Sequence, residues 1–281
     1  MSKVSVCTIY AQRQTHLQNL VKSLISSQMY PDELVIVCMG DRLPELPQTP
    51  FKINSVNIPV QNKQLPLAKA RNQAAEIAQG DRLIFLDVDC ICSPSLVDIF
   101  NYHLTKEDAL YQGSVRYLSA NWQQQDWTFP SLFEQSSANQ LQGIELTKKQ
   151  KVNHPYELFW SLCFGISKKT FFDIGGFDCK YFGYGGEDTD FAFTVRTCNI
   201  PFYKVSALAY HQYHPSYSPP LNHLSDIVRN AQIFERKWHI LPMQKWLNKF
   251  VQLGFIEIQN KTIKIIKQPT NSEIQACIKS N

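Results

Sequence analysis

The sequence predicts an α/β chain built on a Rossmann-like, mostly parallel central sheet flanked by helices, with a small C-terminal helix and hairpin appendage. Three observations predict it. Strand and helix signals alternate through the N-terminal third. The apolar run Leu34-Val35-Ile36-Val37-Cys38 is continuous, as a strand covered on both faces requires. Finally, 281 residues with 44% apolar and only 19% charged residues supply one large core.

Taken in order, Val4 to Ile9 is a short β-rich run, and Leu17, Leu20, Val21, Leu24 and Ile25 follow at helical spacing. Pro31 punctuates that helix before the second strand, Leu34 to Cys38. Leu67 to Ala78 returns to helix, Gly80 closes it, and Leu83 to Leu86 is the third strand. Strand, helix, strand, helix, strand implies right-handed parallel crossovers, whose ligands sit at the carboxyl ends of the strands. Residues 112–157 are rich in Gln, Ser and Asn with interspersed aromatics, and read as a long loop region with a short helix near Leu132 to Leu141. Leu158 to Ile166 reads as a strand containing Trp160. Helices are expected over Lys168 to Ile174, ending at Gly175-Gly176, and over Asp188 to Thr197. A strand follows from Phe202 to Tyr210, then a turn-rich linker from Pro215 to Pro220. Leu224, Ile227, Val228, Ala231, Phe234 and Trp238 mark one face of a further helix. The tail reads as a hairpin turning at Asn260-Lys261. The division expected is a main domain over 1–240, with 112–157 as its acceptor-side loop, and a basic appendage over 241–281.

A formal net charge of +4 gives no support to nucleic-acid binding. No apolar stretch is long enough to span a bilayer, and Met1 to Val6 reaches polar residues too soon for a secretory signal. The eight cysteines are scattered, and Cys90-x-Cys92 has no second pair to complete a zinc site, so reduced thiols and a cytoplasmic location are expected.

The chemistry concentrates where the third strand ends. Leu83-Ile84-Phe85-Leu86 runs into Asp87-Val88-Asp89. In extended geometry both carboxylates face one side, and two like charges there repel unless a hard cation joins them. Solvated turn residues are the plain alternative. Upstream lies Leu67-Ala68-Lys69-Ala70-Arg71-Asn72, and downstream Gly175-Gly176-Phe177-Asp178 and Phe182-Gly183-Tyr184-Gly185-Gly186-Glu187-Asp188-Thr189-Asp190. In this order the motifs resemble the inverting nucleotide-sugar glycosyltransferases of the GT-A fold. The stretch Phe182 to Asp190 is similar to the galactosyltransferase-related branch that includes the β-1,4-galactosyltransferases. Ala209-Tyr210-His211-Gln212 is similar to a segment of bacterial chondroitin and hyaluronan polymerases.

The resemblance implies roles residue by residue. Asp89 binds Mn²⁺ (or Mg²⁺), with Asp87 nearer the ribose. A later histidine completes the metal site; His211 has the matching context, and His214 is the alternative, read as a surface turn residue. Asp188 is the catalytic base. Glu187 binds acceptor hydroxyls, Trp160 and Tyr184 lie near the acceptor side where aromatic faces stack on sugar rings, and Gly185 and Gly186 let the backbone approach the ligand closely. Thr8 and Arg13, after the first strand, belong to the nucleotide site together with Arg71. Asp41 stands in for an acid that reads uracil immediately after the second strand in many relatives.

The expected partners are a UDP-sugar donor of Gal, GalNAc, Glc or GlcNAc type and a carbohydrate or lipid-linked saccharide acceptor. The expected setting is surface or capsular polysaccharide synthesis. A sugar nucleotidyltransferase would want a Gly-rich basic loop where Tyr10-Ala11-Gln12-Arg13 stands, and an inactive nucleotide-sugar-binding protein would lack a ligand or base. From Arg236 to Asn281 eight basic residues face two acidic ones, a net +6. This suits either a solvated surface or peripheral contact with anionic lipid at the inner membrane face.

Overall fold

Alternation along each strand divides the apolar side chains between two layers. In the computed structural model, which describes residues 3–61, 64–122, 126–138, 149–153 and 155–278, strand β1 (Val4–Tyr10) turns Val4, Val6 and Tyr10 into one core and Cys7 and Ile9 into the other. Helix α1 (Gln14–Ile25) covers the first core with Leu17, Leu20, Val21 and Leu24, and β2 (Glu33–Met39) pairs parallel with β1. The edge strand β3 (Lys52–Ile58) pairs parallel with β2. Helix α2 (Leu67–Ile77) returns across the opposite face on Ala68, Ala70, Ala74 and Ala75, and β4 (Arg82–Leu86) pairs parallel with β1.

The chain then forms β5 (Cys90–Cys92), α3 (Leu96–Lys106), β6 (Leu110–Leu118), α4 (Phe129–Glu134), β7 (Ser136–Ala138) and β8 (Gln150–Lys151). Next come β9 (Cys163–Ser167), α5 (Lys168–Asp173), α6 (Glu187–Thr197) and β10 (Phe202–His211). The sheet order is β3-β2-β1-β4-β9-β6-β10-β5, with β7 beside β6 and β8 beside β10. It is parallel from β3 to β4 and between β6 and β10, and antiparallel where β9 and β5 insert. Successive strands leave β1 in opposite directions, to β2 on one side and β4 on the other. The carboxyl ends of β1 and β4 therefore flank a topological switch point.

The C-terminal part comprises α7 (Leu224–Trp238), α8 (Gln244–Gln252), the hairpin β11 (Ile256–Gln259) and β12 (Thr262–Ile265), and α9 (Asn271–Gln275). Leu224, Ile227, Val228 and Ala231 of α7 pack with Leu247, Phe250, Ile256 and Ile263 in a core of their own, while Phe234 reaches the main core. The hairpin turns at Asn260 (φ 48°) and Lys261 (φ 64°), as expected.

Several expectations are corrected. The second crossover passes through β3, whose KINSVNI sequence is half-exposed and so lacks a continuous apolar run. Residues 112–118 of the expected loop region belong instead to the central strand β6, and Trp122 and Trp127 beyond it are buried against Ile91 and Tyr210. The short helix expected near 132–141 is α4, capped by Thr128, and Leu141 lies outside the described residues. The strand expected from Leu158 begins only at Cys163, which leaves Trp160 half-buried in the turn before it. Gly80 is not a left-handed cap. Ala78 ends α2, and a Cβ at Gly80 would meet Ser5 Oγ at 2.6 Å and the Lys3 carbonyl at 2.8 Å.

Candidate active site

The acidic pair is not extended. Leu86 leaves the sheet into a turn closed by the Cys90 N–H donating to the Asp87 carbonyl at 2.9 Å. Asp89 is 1% exposed and Asp87 is half-buried. The turn feeds β5, whose register with β10 sets Cys90 opposite His211, and the Gln212 N–H donates to the Asp89 carbonyl at 2.7 Å. This pairing delivers both histidines. One ligand atom from each of Asp89, His211 and His214 lies within 4.8 Å of the others.

His214 is therefore no surface turn residue. Its Nε2 is 3.6 Å from Asp89 Oδ2, while its Nδ1 sits 3.1 Å from the Pro215 carbonyl, a contact that needs the proton on Nδ1 and leaves the Nε2 lone pair facing Asp89. Burial, with His214, Arg13 and His16 nearby, pushes the His211 imidazole down to about 3, and burial lowers His214 and His16 as well. Neutral imidazoles are what a metal requires. Asp89 Oδ1 is buried with no hydrogen-bond partner among the described residues. One carboxylate and two imidazoles form a mixed O/N set that suits Mn²⁺ better than the oxygen-preferring Mg²⁺.

Two further α1-side residues face this set. Arg13, just before α1, forms an ion pair with Asp89 Oδ2, and Asp87 and Tyr184 act on its guanidinium. His16, which the sequence reading passed over, holds Nε2 4.0 Å from Asp89 Oδ1 and 3.3 Å from the Tyr213 carbonyl. Its position three residues after Arg13 on a helix was the available signal. Thr8 lies inside β1 rather than after it, with its hydroxyl buried and without a partner among the described residues. Asp41 accepts the Gln12 N–H at 2.5 Å, which ties the end of β2 to the loop after β1.

The glycine loop forms the other half. Gly183, Gly185 and Gly186 have φ of 67°, 90° and 94°, and a Cβ at Gly183 would run into the Asp226 carboxylate. Asn230 on α7 holds the loop, donating to the carbonyls of Phe182 at 2.9 Å and Gly185 at 2.8 Å. Gly186 then caps α6, so Glu187, Asp188 and Asp190 fall in its first turn. Their fates differ. Asp190 is consumed structurally, accepting from Tyr181, Trp238 and Lys237. Glu187 Oε1 pairs with Arg71 Nη1 at 3.3 Å, and Glu187 Oε2 is buried without a partner among the described residues. Arg71, expected in the nucleotide site, is 6% exposed and paired with Glu187, with its guanidinium 5.2 Å from the Phe177 ring centroid.

Asp188 remains half-buried. Its carboxyl is pushed up to about 7 by desolvation and then by Glu187, against the opposing pull of Arg71. Tyr184 links the two halves: desolvation, then Asp188, Glu187 and Asp87 raise its phenol to about 12. Trp160 is half-buried just before β9.

A buried carboxylate and two imidazoles thus meet at the switch point, beside a glycine loop that presents a second acid, an arrangement that fits a GT-A glycosyltransferase. Comparison with known proteins agrees. Residues 5–171, more than half of the chain, match the family described as glycosyl transferase family 2, and the chain belongs to that family. Residues 144–216 also match the family described as the N-terminal domain of galactosyltransferase. Among solved structures, the chain is similar to GalNAc-T7, crystallised with UDP, GalNAc and Mn²⁺. That match has a TM-score of 0.51 and 14% identity, and covers 76% of this chain but only 44% of GalNAc-T7. It is also similar to residues 1–349 of S. aureus TarS, with a TM-score of 0.55, 12% identity and coverage of 89% of this chain and 72% of that one. At these identities the structural matches carry the fold.

Proposed function

We propose that the protein transfers a hexose (Gal, GalNAc, Glc or GlcNAc) from a UDP-sugar to a carbohydrate hydroxyl, with inversion at the anomeric carbon and with Mn²⁺ as cofactor. The observation that carries this reading is the convergence of Asp89, His211 and His214 within 4.8 Å at the carboxyl end of β4.

In this reading Asp188 accepts the proton of the attacking acceptor hydroxyl, and its raised pKa suits a base working near neutral pH. The acceptor oxygen forms its bond to the sugar C1 as the bond to UDP breaks on the opposite face. No covalent enzyme intermediate is needed. Glu187 Oε2 is free to accept a hydrogen bond from the acceptor, while Arg71 fixes the other oxygen. Tyr184 and the backbone of Gly185 and Gly186 line the approach, with Trp160 beyond them. Arg13, Thr8 and Asp41 face the nucleotide, Arg13 toward the diphosphate, and Asp87 lies beside the ribose. Asp89, His211 and His214 would hold the metal, which when bound counters the charge developing on the departing diphosphate.

Among the described residues no helix is long and apolar enough to cross a membrane. The C-terminal part combines lysines with exposed Val251, Leu253 and Ile266, which supports peripheral contact with anionic lipid at the cytoplasmic face. There a lipid-linked saccharide of surface or capsular polysaccharide synthesis would be presented. The test is release of UDP from the four UDP-sugars with Mn²⁺ and a saccharide acceptor, followed by NMR assignment of the product anomer. Retention of the donor's configuration would exclude the single-displacement mechanism.

A further inference from the structure

A cleft of about 470 Å³ opens beside the glycine loop, within the size range of small-molecule sites. Its walls come from three separated parts of the chain. Residues 64, 65 and 67 precede and begin α2, Gly183 and Tyr184 belong to the glycine loop, and residues 221–226, 268, 269 and 274 belong to the C-terminal part. Tyr184 is the shared wall: it feels the charge of Asp188 and Glu187, and it is also 39% exposed and stacked on His223 at 4.5 Å with the rings 16° apart. Trp246 lies behind it at 5.7 Å. Tyr184 thus stands between the cleft and the first turn of α6, which carries the proposed base four residues on.

The chemistry of the walls selects among ligands. Aromatic faces and Leu65, Leu67 and Leu224 offer apolar contact, and Gln64, Asn222 and Gln268 offer amides. The charged group in the wall is a carboxylate, Asp226, which accepts from Gln64 Nε2 at 2.7 Å. Among the described residues no lysine or arginine lines the cleft. The nearest cation of α7, Arg229, is turned onto Asp226 at 3.2 Å and onto the Phe182 carbonyl. A phosphate, sulfate or uronate would meet Asp226 with Arg229 and His223 already engaged on that carboxylate, whereas hydroxyls can donate to a carboxylate and to amide oxygens.

We infer that this cleft is an acceptor-extension site that binds the neutral saccharide unit next to the one being glycosylated, with its ring against Tyr184 and His223 and its hydroxyls on Asp226 and the amides. The C-terminal part, which supplies most of the wall, is then a specificity element of the acceptor site. The inference rests on the transfer reading above.

The test is saturation-transfer NMR and titration on the full chain with UDP and Mn²⁺ present. The neutral probes are lactose, N-acetyllactosamine, chitobiose and maltotriose, with sulfated lactose as the anionic control. Gln64→Ala removes an amide from the wall, and Ser225→Trp fills the cleft from an exposed position. A neutral probe should bind the wild type and lose about tenfold in affinity in either variant, with UDP affinity unchanged. The cleft assignment alone falls if the wild type binds UDP but none of the neutral probes, if the variants bind them unchanged, or if sulfated lactose binds in preference. If the wild type does not bind UDP, the transfer reading fails, and the inference with it.

Discussion

Arg71 Nη1 and Glu187 Oε1 are 3.3 Å apart, with both side chains less than a tenth exposed, immediately behind Asp188. A helix residue before the metal turn is thereby coupled to the helix carrying the proposed base. Desolvation does most to raise the Asp188 pKa, Glu187 raises it further and Arg71 lowers it, so the pair adjusts the pH at which the base is available.

The first prediction concerns pH. A base raised to about 7 must be deprotonated to work, so kcat/KM should fall below neutral pH. Glu187→Gln removes the raising charge and should move that limb to lower pH. Arg71→Met removes the lowering charge and should move it to higher pH. It should also cost about 3–5 kcal/mol of stability, because Glu187 is left buried and unpaired. Profiles that shift in the same direction in both variants would contradict the assignment of the limb to Asp188.

A second prediction separates function from stability at one position. Asp188→Asn should reduce transfer by about 10²-fold or more while UDP binding survives. The folded-state pKa of Asp188 lies above its ordinary value, so folding favours the protonated form. The stability associated with that proton is fully present below about pH 4 and is lost as pH rises through 7. At pH 8 the Asn variant should therefore be more stable than the wild type, by about 1–3 kcal/mol in denaturant unfolding. Transfer near the wild-type rate would remove Asp188 as base.

Metal affinity provides a third. His211 and His214 both reach Asp89, so His211→Ala and His214→Ala should each weaken Mn²⁺ binding about tenfold or more. Loss in only one variant would reduce the set to Asp89 and a single imidazole.

The fourth concerns the support of that set. Gln212 lies between the two histidines, donates from Nε2 to the His16 carbonyl at 3.1 Å, and accepts from Asn19 at 2.8 Å. Asn19 in turn accepts from Trp127 Nε1 at 3.0 Å. Gln212→Ala should cost about 1–3 kcal/mol for the unpaired buried groups and should also raise the Mn²⁺ dissociation constant. A stability loss with unchanged Mn²⁺ affinity would make this relay purely structural.

How far the sequence was legible depended on local pattern. The β-rich run of β1, the apolar runs of β2 and β4 and the spacing in α1 and α7 revealed those elements directly. Strand β6 was hidden because its centre reads Gln112-Gly113-Ser114. Gly113 is there because a Cβ would meet Cys163 Sγ and the Ala207 carbonyl, a tertiary reason that no local pattern carries. Asp87 and Asp89 stood out, but their geometry did not, since the turn is fixed by pairing between β5 and β10 across a long sequence separation. The same pairing brings in His214, whose neighbour Pro215 suggested a surface turn. The Arg71–Glu187 pair joins residues 116 positions apart and could not be seen from either motif alone.

The central claim, a metal-dependent UDP-sugar site built on Asp89, is tested most directly by calorimetric titration of the full chain with UDP, in Mn²⁺ and then in EDTA. The account predicts binding in Mn²⁺ that weakens at least about tenfold in EDTA and is lost in Asp89→Ala. Equal UDP affinity with and without the metal, or no UDP binding in either condition, would contradict it.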